Sequence, residues 1–122
     1  MRHDFRKLKI WNDSMDLVVS IYKMIASFPK EEMYALSSQI KRCVVSIPSN
    51  IAEGSGRSSD KDFANFLHHS YGSSCELETQ IELSHRLGYI SLVQQDDALD
   101  SIHQIQKMIF KFKDKLLNNL AK

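Results

Sequence analysis

The stretch Gln39 to Arg57, QIKRCVVSIPSNIAEGSGR, carries an apolar helical stripe and, beside it, a second stripe made almost entirely of polar residues. Leu36, Ile40, Cys43, Ile47, Ile51 and Gly54 recur three or four residues apart, the spacing of one buried helix face. Gln39, Arg42, Ser46, Asn50, Glu53 and Arg57 recur with the same period, roughly 100° further round the helix. A helix needs only one apolar face to join a core, so the polar stripe calls for a partner of its own. Pro48 lies inside the segment, where it lacks a backbone donor and crowds the carbonyl of Val44; this predicts a bend.

Working outward, the pattern predicts four helices, at about 12–27, 31–57, 59–87 and 91–120, in a single domain spanning 1–122. Asn12 or Asp13 can cap the first, which places Trp11, Met15, Val18, Tyr22 and Ile25 on one face and stops at Phe28-Pro29. Gly54 and Gly56 end the second. Ser59 with Asp62 suits a cap for the third, whose core positions read Phe63, Leu67, Ser70, Ser74, Leu77, Ile81 and Ser84. So many small residues suggest close packing of helices two and three around Gly72, Ser73 and Ser74. Ser91 and Gln94 form a capping box for the fourth, which continues through Leu99, Ile102, Ile105, Ile109, Phe112, Leu116 and Leu120. No strand signal competes, and the short connections favour antiparallel neighbours. The fold class is all-α, an antiparallel up-down-up-down four-helix bundle with helix two bent at Pro48.

That topology sets the polar stripe of helix two against Asp62, His69, Ser73, Glu76 and Gln80 of helix three. Matching heights pair Gln39 with Gln80, Arg42 with Glu76, Asn50 with His69 or Phe66, and Arg57 with Asp62. The expectation is an interhelix polar seam that includes an Arg42–Glu76 ion pair.

Composition bounds the rest. A chain of 122 residues, 43% hydrophobic, builds one core. It has no apolar run long enough to span a membrane, and its charged start, MRHDFRKLKIW, lacks the apolar region of a secretory signal; the expected location is the cytoplasm. Cys43 and Cys75 read as free thiols, being neither a disulfide framework nor a metal quartet.

Phe28-Pro29, Gln39, Arg42, Ser46-Ile47, the run Asn50-Ile51-Ala52-Glu53-Gly54, Arg57-Ser58, Phe66-Leu67, Gly72-Ser73 and Glu76-Leu77 with Gln80 resemble a known four-helix-bundle family. It is the family first named for proteins encoded in intervening sequences of bacterial 23S ribosomal RNA. SIPSNIAEGSGRSS is the most specific part, and the resemblance covers nearly the whole chain. The family is similar to the accessory variability determinant proteins of diversity-generating retroelements, ring-shaped homopentamers that bind nucleic acid and a reverse transcriptase. The resemblance therefore implies a homopentamer with a ribonucleoprotein role, and implies no enzymatic activity and no cofactor.

The net charge of +1 opposes a uniformly basic surface, but distribution matters more. In the expected topology Arg2, Arg6, Lys7, Lys9, Arg57, Lys61, Lys111, Lys113, Lys115 and Lys122 gather at one end, while Glu31, Glu32, Glu82, Asp96 and Asp97 fall toward the other. Clustered cations suit a phosphate backbone, RNA or DNA, and a ring would multiply each weak contact. Late-helix lysines also complement the helix dipole, so a merely solvated face stands beside that reading. A structural protein–protein module is the alternative function. A metal-binding bundle is the remote one, because Glu82-Leu-Ser-His85 and Asp100-Ser-Ile-His103 have carboxylate–histidine spacing but project from the core faces. No serine has a His/Asp pair placed to activate it. Val45, Tyr71, Met108, Phe110 and Leu117 lie off their core stripes, as subunit-interface residues do.

Overall fold

The computed structural model describes residues 3–120, with side chains through Asn118. Four helices make up the molecule: α1 (Lys9–Ile25), α2 (Leu36–Ser55), α3 (Asp60–Arg86) and α4 (Leu92–Leu120), with single 3-10 turns at Phe5–Lys7 and Lys30–Glu32. Each helix packs on two neighbours, α1 and α3 each touching α2 and α4, while the diagonal pairs stay apart. Contacts pair rising with falling numbers: Ile47 meets Ser70 and Ser46 meets Ser73, then Phe63 meets Phe112 and Glu78 meets Gln106. Helices α2 and α3, and α3 and α4, thus run against each other in an all-α four-helix bundle.

Local chemistry sets the helix ends. Ser59 Oγ accepts from the Asp62 N–H at 3.1 Å and starts α3. Before α4, the Ser91 N–H donates to Gln94 Oε1 and the Gln94 N–H donates to Ser91 Oγ, a complete capping box. Helix α3 stops where Gly88 takes φ +79°, a left-handed conformation that a side chain would strain. There the Tyr89 and Gly88 N–H groups turn back onto the Ser84 and His85 carbonyls.

Two starts differ from expectation. Helix α1 begins at Lys9, so Asn12 lies within its first turn and binds the carbonyls of Arg6 and Leu8 through its side chain instead of capping. Helix α2 begins at Leu36, not Glu31. Lys30–Glu32 closes a 3-10 turn, and Ala35 at φ −122°, ψ −105° separates it from the helix proper. Beyond that point α2 is continuous to Ser55 with Pro48 inside it and buried.

The core is a stack of isoleucines and leucines with Phe63. Ile21, Ile40, Ile47, Ile51, Leu67, Leu77, Ile81, Ile102 and Ile109 are fully enclosed, each burial contributing about 1.5–3 kcal/mol. The expected core stripes of α2 and α3 are buried throughout. That of α1 is not. Ile10, Ser14, Leu17, Ile21 and Ile25 face inward, whereas Met15 and Tyr22 are exposed and Trp11 and Val18 are half-buried. Helix α1 carries two apolar stripes about one residue apart in rotation. The one with larger side chains lies outside because Ser14, polar by type, satisfies its hydroxyl on the Ile10 carbonyl and enters the core.

Helices α2 and α3 do come together at Ser73, but without Gly72. Gly72 is exposed, with no atom within 4 Å of where a Cβ would stand. The tight glycine is Gly54, whose Cβ would meet Phe63 Cδ1 and Phe66 Cβ at 2.7 Å.

Candidate nucleic-acid interface

The polar stripes of α2 and α3 meet through hydroxyls and a thiol. Ser46 Oγ lies 2.6 Å from both the Cys43 carbonyl and Ser73 Oγ. It has one proton, so it donates to the carbonyl and accepts from Ser73. Cys43 Sγ–H donates to the Ser73 carbonyl at 3.0 Å, and Ser70 Oγ–H donates to the Ile47 carbonyl at 2.8 Å. Burial, then the negative charge of Glu76, push the Cys43 thiol up to about 12, so it stays protonated and serves packing.

The expected charged pairs do not form. Arg42 donates to Ser38 Oγ one turn back, and Glu76 accepts from Gln80 Nε2 at 3.4 Å. Arg57 pairs with Glu53 at 3.0 Å and lays its guanidinium over the Phe66 ring at 4.6 Å, leaving Asp62. Asn50 Nδ2 donates to the Ser46 carbonyl, and Gln39 is exposed. Arg42 and Glu76 both face water, where an ion pair gains under about 1 kcal/mol, and a bond to the preceding turn orders less chain. Gln80 is buried with its Oε1 unpartnered, the one buried side-chain polar atom among the described residues without a hydrogen bond.

The basic residues divide between two sides of α4. Lys7, Lys9, Lys111 and Lys115 surround a groove of about 340 Å³ between the start of α1 and the end of α4, floored by Leu8, Ile10, Met108 and Phe112. Lys61 and Lys113 line a second groove, about 400 Å³, between α3 and α4 with Asp62, His68 and Leu117. Helical geometry makes this division: positions 111 and 115 share a face, while 113 points about 200° away. Not every cation is free. Lys9 pairs with Asp13 at 2.6 Å, Lys113 Nζ lies 3.5 Å from His68 Nδ1, and Arg6 stacks on Phe5, whose ring meets Trp11 edge-on. Arg2 and Lys122 lie outside the described residues.

Sequence reasoning named the lysines but not the apolar floor between them. Met108 and Phe112, one turn apart on the flank that carries Lys111 and Lys115, were the available signal. His3 had none; it reaches Asp60 at 3.5 Å and sets its ring edge-on to Phe63 and Phe112, closing this end of the core.

The two histidines weighed for metal chemistry each have a neighbour within the fold. His85 Nδ1 lies 3.2 Å from the Ile90 carbonyl, and His103 Nε2 lies 3.4 Å from Glu78 Oε1. Among the described residues no three His, Cys, Asp or Glu side chains are grouped to hold an ion, and no helix is long and apolar enough to cross a membrane.

The model of the 23S rRNA-intervening sequence protein family matches residues 6–111. The chain belongs to that family. It is also similar to a crystal structure from Bacteroides thetaiotaomicron VPI-5482, a protein of unknown function from the S23 ribosomal protein family. That match has a TM-score of 0.77 and 27% identity, covering 85% of this chain and 97% of the other. No functionally curated protein matches. The family segment takes in the polar seam, Lys7, Lys9 and Lys111, and stops short of Lys113 and Lys115.

Proposed function

We propose that this protein is a noncatalytic, oligomeric accessory that binds nucleic acid in the cytoplasm through its lysine-rimmed end. The observation that carries the reading is the convergence of Lys7 of the first 3-10 turn, Lys9 of α1, and Lys111 and Lys115 of α4 on one groove, from segments far apart in sequence. A dipole-complementing run would decorate the end of one helix; cations from two helices facing one hollow make a cradle for a phosphate backbone. Membership of a family named for ribosomal RNA intervening sequences agrees with it.

Assembly follows from the apolar faces. Met15, Val19 and Tyr22 of α1 with Val45 of α2 are exposed, as are Tyr71 of α3 and Phe110 and Leu117 of α4. Val19 belongs to the α1–α4 groove; the others divide between the neighbouring pairs α1–α2 and α3–α4, which supports two different apolar patches. Two different faces docking head to tail close into a ring when the rotation allows, and a pentamer is the count the family resemblance implies. A ring would set several lysine grooves side by side and raise a weak contact by avidity.

The test is fluorescence anisotropy with structured and single-stranded RNA and DNA over a salt series, beside light scattering for mass. Lys111→Glu with Lys115→Glu should weaken binding more than about tenfold and flatten the salt dependence by roughly two phosphate contacts. A wild-type protein that binds nothing at low salt would overturn this reading in favour of a protein-interaction module. A monomer at working concentration would remove the ring.

A further inference from the structure

The end of the bundle opposite the lysines is as unusual as the lysine end, and none of the chemistry above uses it. Here the α1–α2 connection and the α3–α4 turn are tied together. Tyr89 Oη–H donates to Glu32 Oε2 at 2.8 Å, and the Tyr89 ring packs against Phe28 with centroids 5.2 Å apart. This bond holds the phenol above its ordinary range, with desolvation and the charges of Glu32 and Glu31 adding to the effect.

Around this lock the surface is apolar. Met33, Tyr34, Leu83, Leu87, Leu92 and Val93 are all exposed, Tyr34 to 93% and Val93 to 69%. Single exposed hydrophobics are ordinary; six large ones on two connections and the adjoining helix turns are not. Helix propensity does not require Met33 and Tyr34, which lie outside any α-helix. Among them stand the exposed acids Glu31, Glu82, Asp96 and Asp97 and the half-buried Glu32, against Lys23, Lys30 and Arg86. Asp96 and Asp97 lie beyond the first turn of α4, so the helix start accounts for neither charge, nor for any of the apolar side chains.

We infer that this acidic, apolar end is a docking surface for a basic amphipathic helix of a partner protein. Charge selects the occupant. Nucleic acid and anionic lipid are repelled by the carboxylates, whereas a helix with leucine-like anchors on one face and lysine or arginine beside them matches both components. The lock between Tyr89 and Glu32 presents the surface in one arrangement, which lowers the ordering cost of binding. Lateral assembly through the α1–α2 and α3–α4 sides leaves this end uncovered, and docking here requires neither assembly nor nucleic-acid binding. The molecule then has two working ends of opposite charge, one for a phosphate backbone and one for a protein.

The probe is a fluorescein-labelled helical peptide of leucine and lysine in a three-four repeat, about 18 residues and five turns long, titrated with the full chain at low salt. Saturable binding is expected, weakening with salt. Leu87→Ser with Val93→Ser should lower affinity at least about tenfold, and Asp96→Lys with Asp97→Lys should do the same. Lys111→Glu with Lys115→Glu should leave it unchanged, which separates this site from the nucleic-acid groove. Wild-type-like circular dichroism and melting verify the fold of each variant. Tyr34→Ser, at an exposed position outside every α-helix, tests the same surface if a double variant does not fold. Four results would overturn the inference: no saturable binding; equal binding of a leucine–glutamate peptide of the same repeat; equal binding by the end variants; or wild-type mass that rises with concentration and is abolished by Leu87→Ser with Val93→Ser, which would make the occupant a second copy.

Discussion

The seam between α2 and α3 and the seam between α1 and α4 solve the same packing problem in opposite ways. Between α2 and α3 the contact positions are small: Gly54, Ser46, Ser70 and Ser73 let the backbones approach, and a Cβ on Gly54 would collide with two phenylalanines. Between α1 and α4 the margins carry lysines, aspartates and serines, and three grooves of about 340, 370 and 590 Å³ remain along the line of contact. The lining changes along that line. It passes from Lys7, Lys9, Lys111 and Lys115, through Asp13 and Asp16, to Asp16, Lys23 and Asp97 near the other end. The close seam has room for structure alone, and the open one has room for a ligand. The segment with the doubled stripe, Gln39 to Arg57, therefore belongs to the scaffold, and the candidate binding surface lies on the helices beside it.

The largest effect that would break this contrast is a thiol reaction rate. Cys43 is enclosed in the α2–α3 seam with its thiol pushed up to about 12, while Cys75 is exposed on the outer side of α3. Alkylation near pH 8 followed by mass spectrometry should modify Cys75 first and Cys43 more than about a thousandfold more slowly, because the thiolate is the reacting species. The linkage has a definite sign. The folded thiol titrates above the unfolded one, so its contribution to stability is complete below about pH 8.5 and is lost as pH rises through about 12. Equal labelling of the two cysteines would show that the seam opens freely.

Next comes Gly54→Ala. Alanine is the better helix former by about 1 kcal/mol, yet the added methyl must displace Phe66 Cβ, which is anchored to the α3 backbone. Overpacking should win, lowering stability by about 1–3 kcal/mol in urea denaturation. A stabilised variant would mean that Phe63 and Phe66 leave room for a methyl at Gly54.

Smaller again is the hydroxyl pair. Ser46→Ala and Ser73→Ala should each cost about 0.5–1.5 kcal/mol, and the double variant less than the sum, because each single change removes the same bond. Strict additivity would show that the two hydroxyls act separately.

How much of this was legible in the sequence depended on how many readings each segment allowed. Helices α2 and α3 have one apolar stripe each, and their buried positions, including Ser70, Ser74 and Ser84, are the ones periodicity selects. Helix α1 has two stripes, and preference for the larger side chains picked the outer one, Met15 and Tyr22, over Ile10, Leu17 and Ile21. Capping was readable where it is local, as at Ser59 and the Ser91–Gln94 box. It was not readable at Ala35, where the chain leaves a 3-10 turn without a side-chain cap. For the candidate site, position along the helices located the lysines. Their division between two grooves needed the rotation of α4 against both α1 and α3, which no single helix encodes. Arg42 and Glu76 were placed at matching heights, but exposed long side chains choose partners by local entropy, and each found one within its own helix.

The smallest effect has the opposite sign and probes the same contrast from outside. Gly72 lies mid-helix in α3, among the small residues Ser70, Ser73 and Ser74, and by sequence it looks like the position where α2 comes closest. In the structure Cys43 and Ser46 of α2 meet Ser73, whereas Gly72 faces open space, with nothing within 4 Å of the point a Cβ would occupy. A glycine there lowers helix stability without any packing return, so Gly72→Ala should raise stability by up to about 1 kcal/mol. Light scattering of the same variant adds a second answer. A stabilised chain of unchanged mass leaves Gly72 a solvent position; a stabilised chain that assembles less well places Gly72 beside Tyr71 in the contact between copies, where a neighbouring subunit, and not α2, needs the missing methyl.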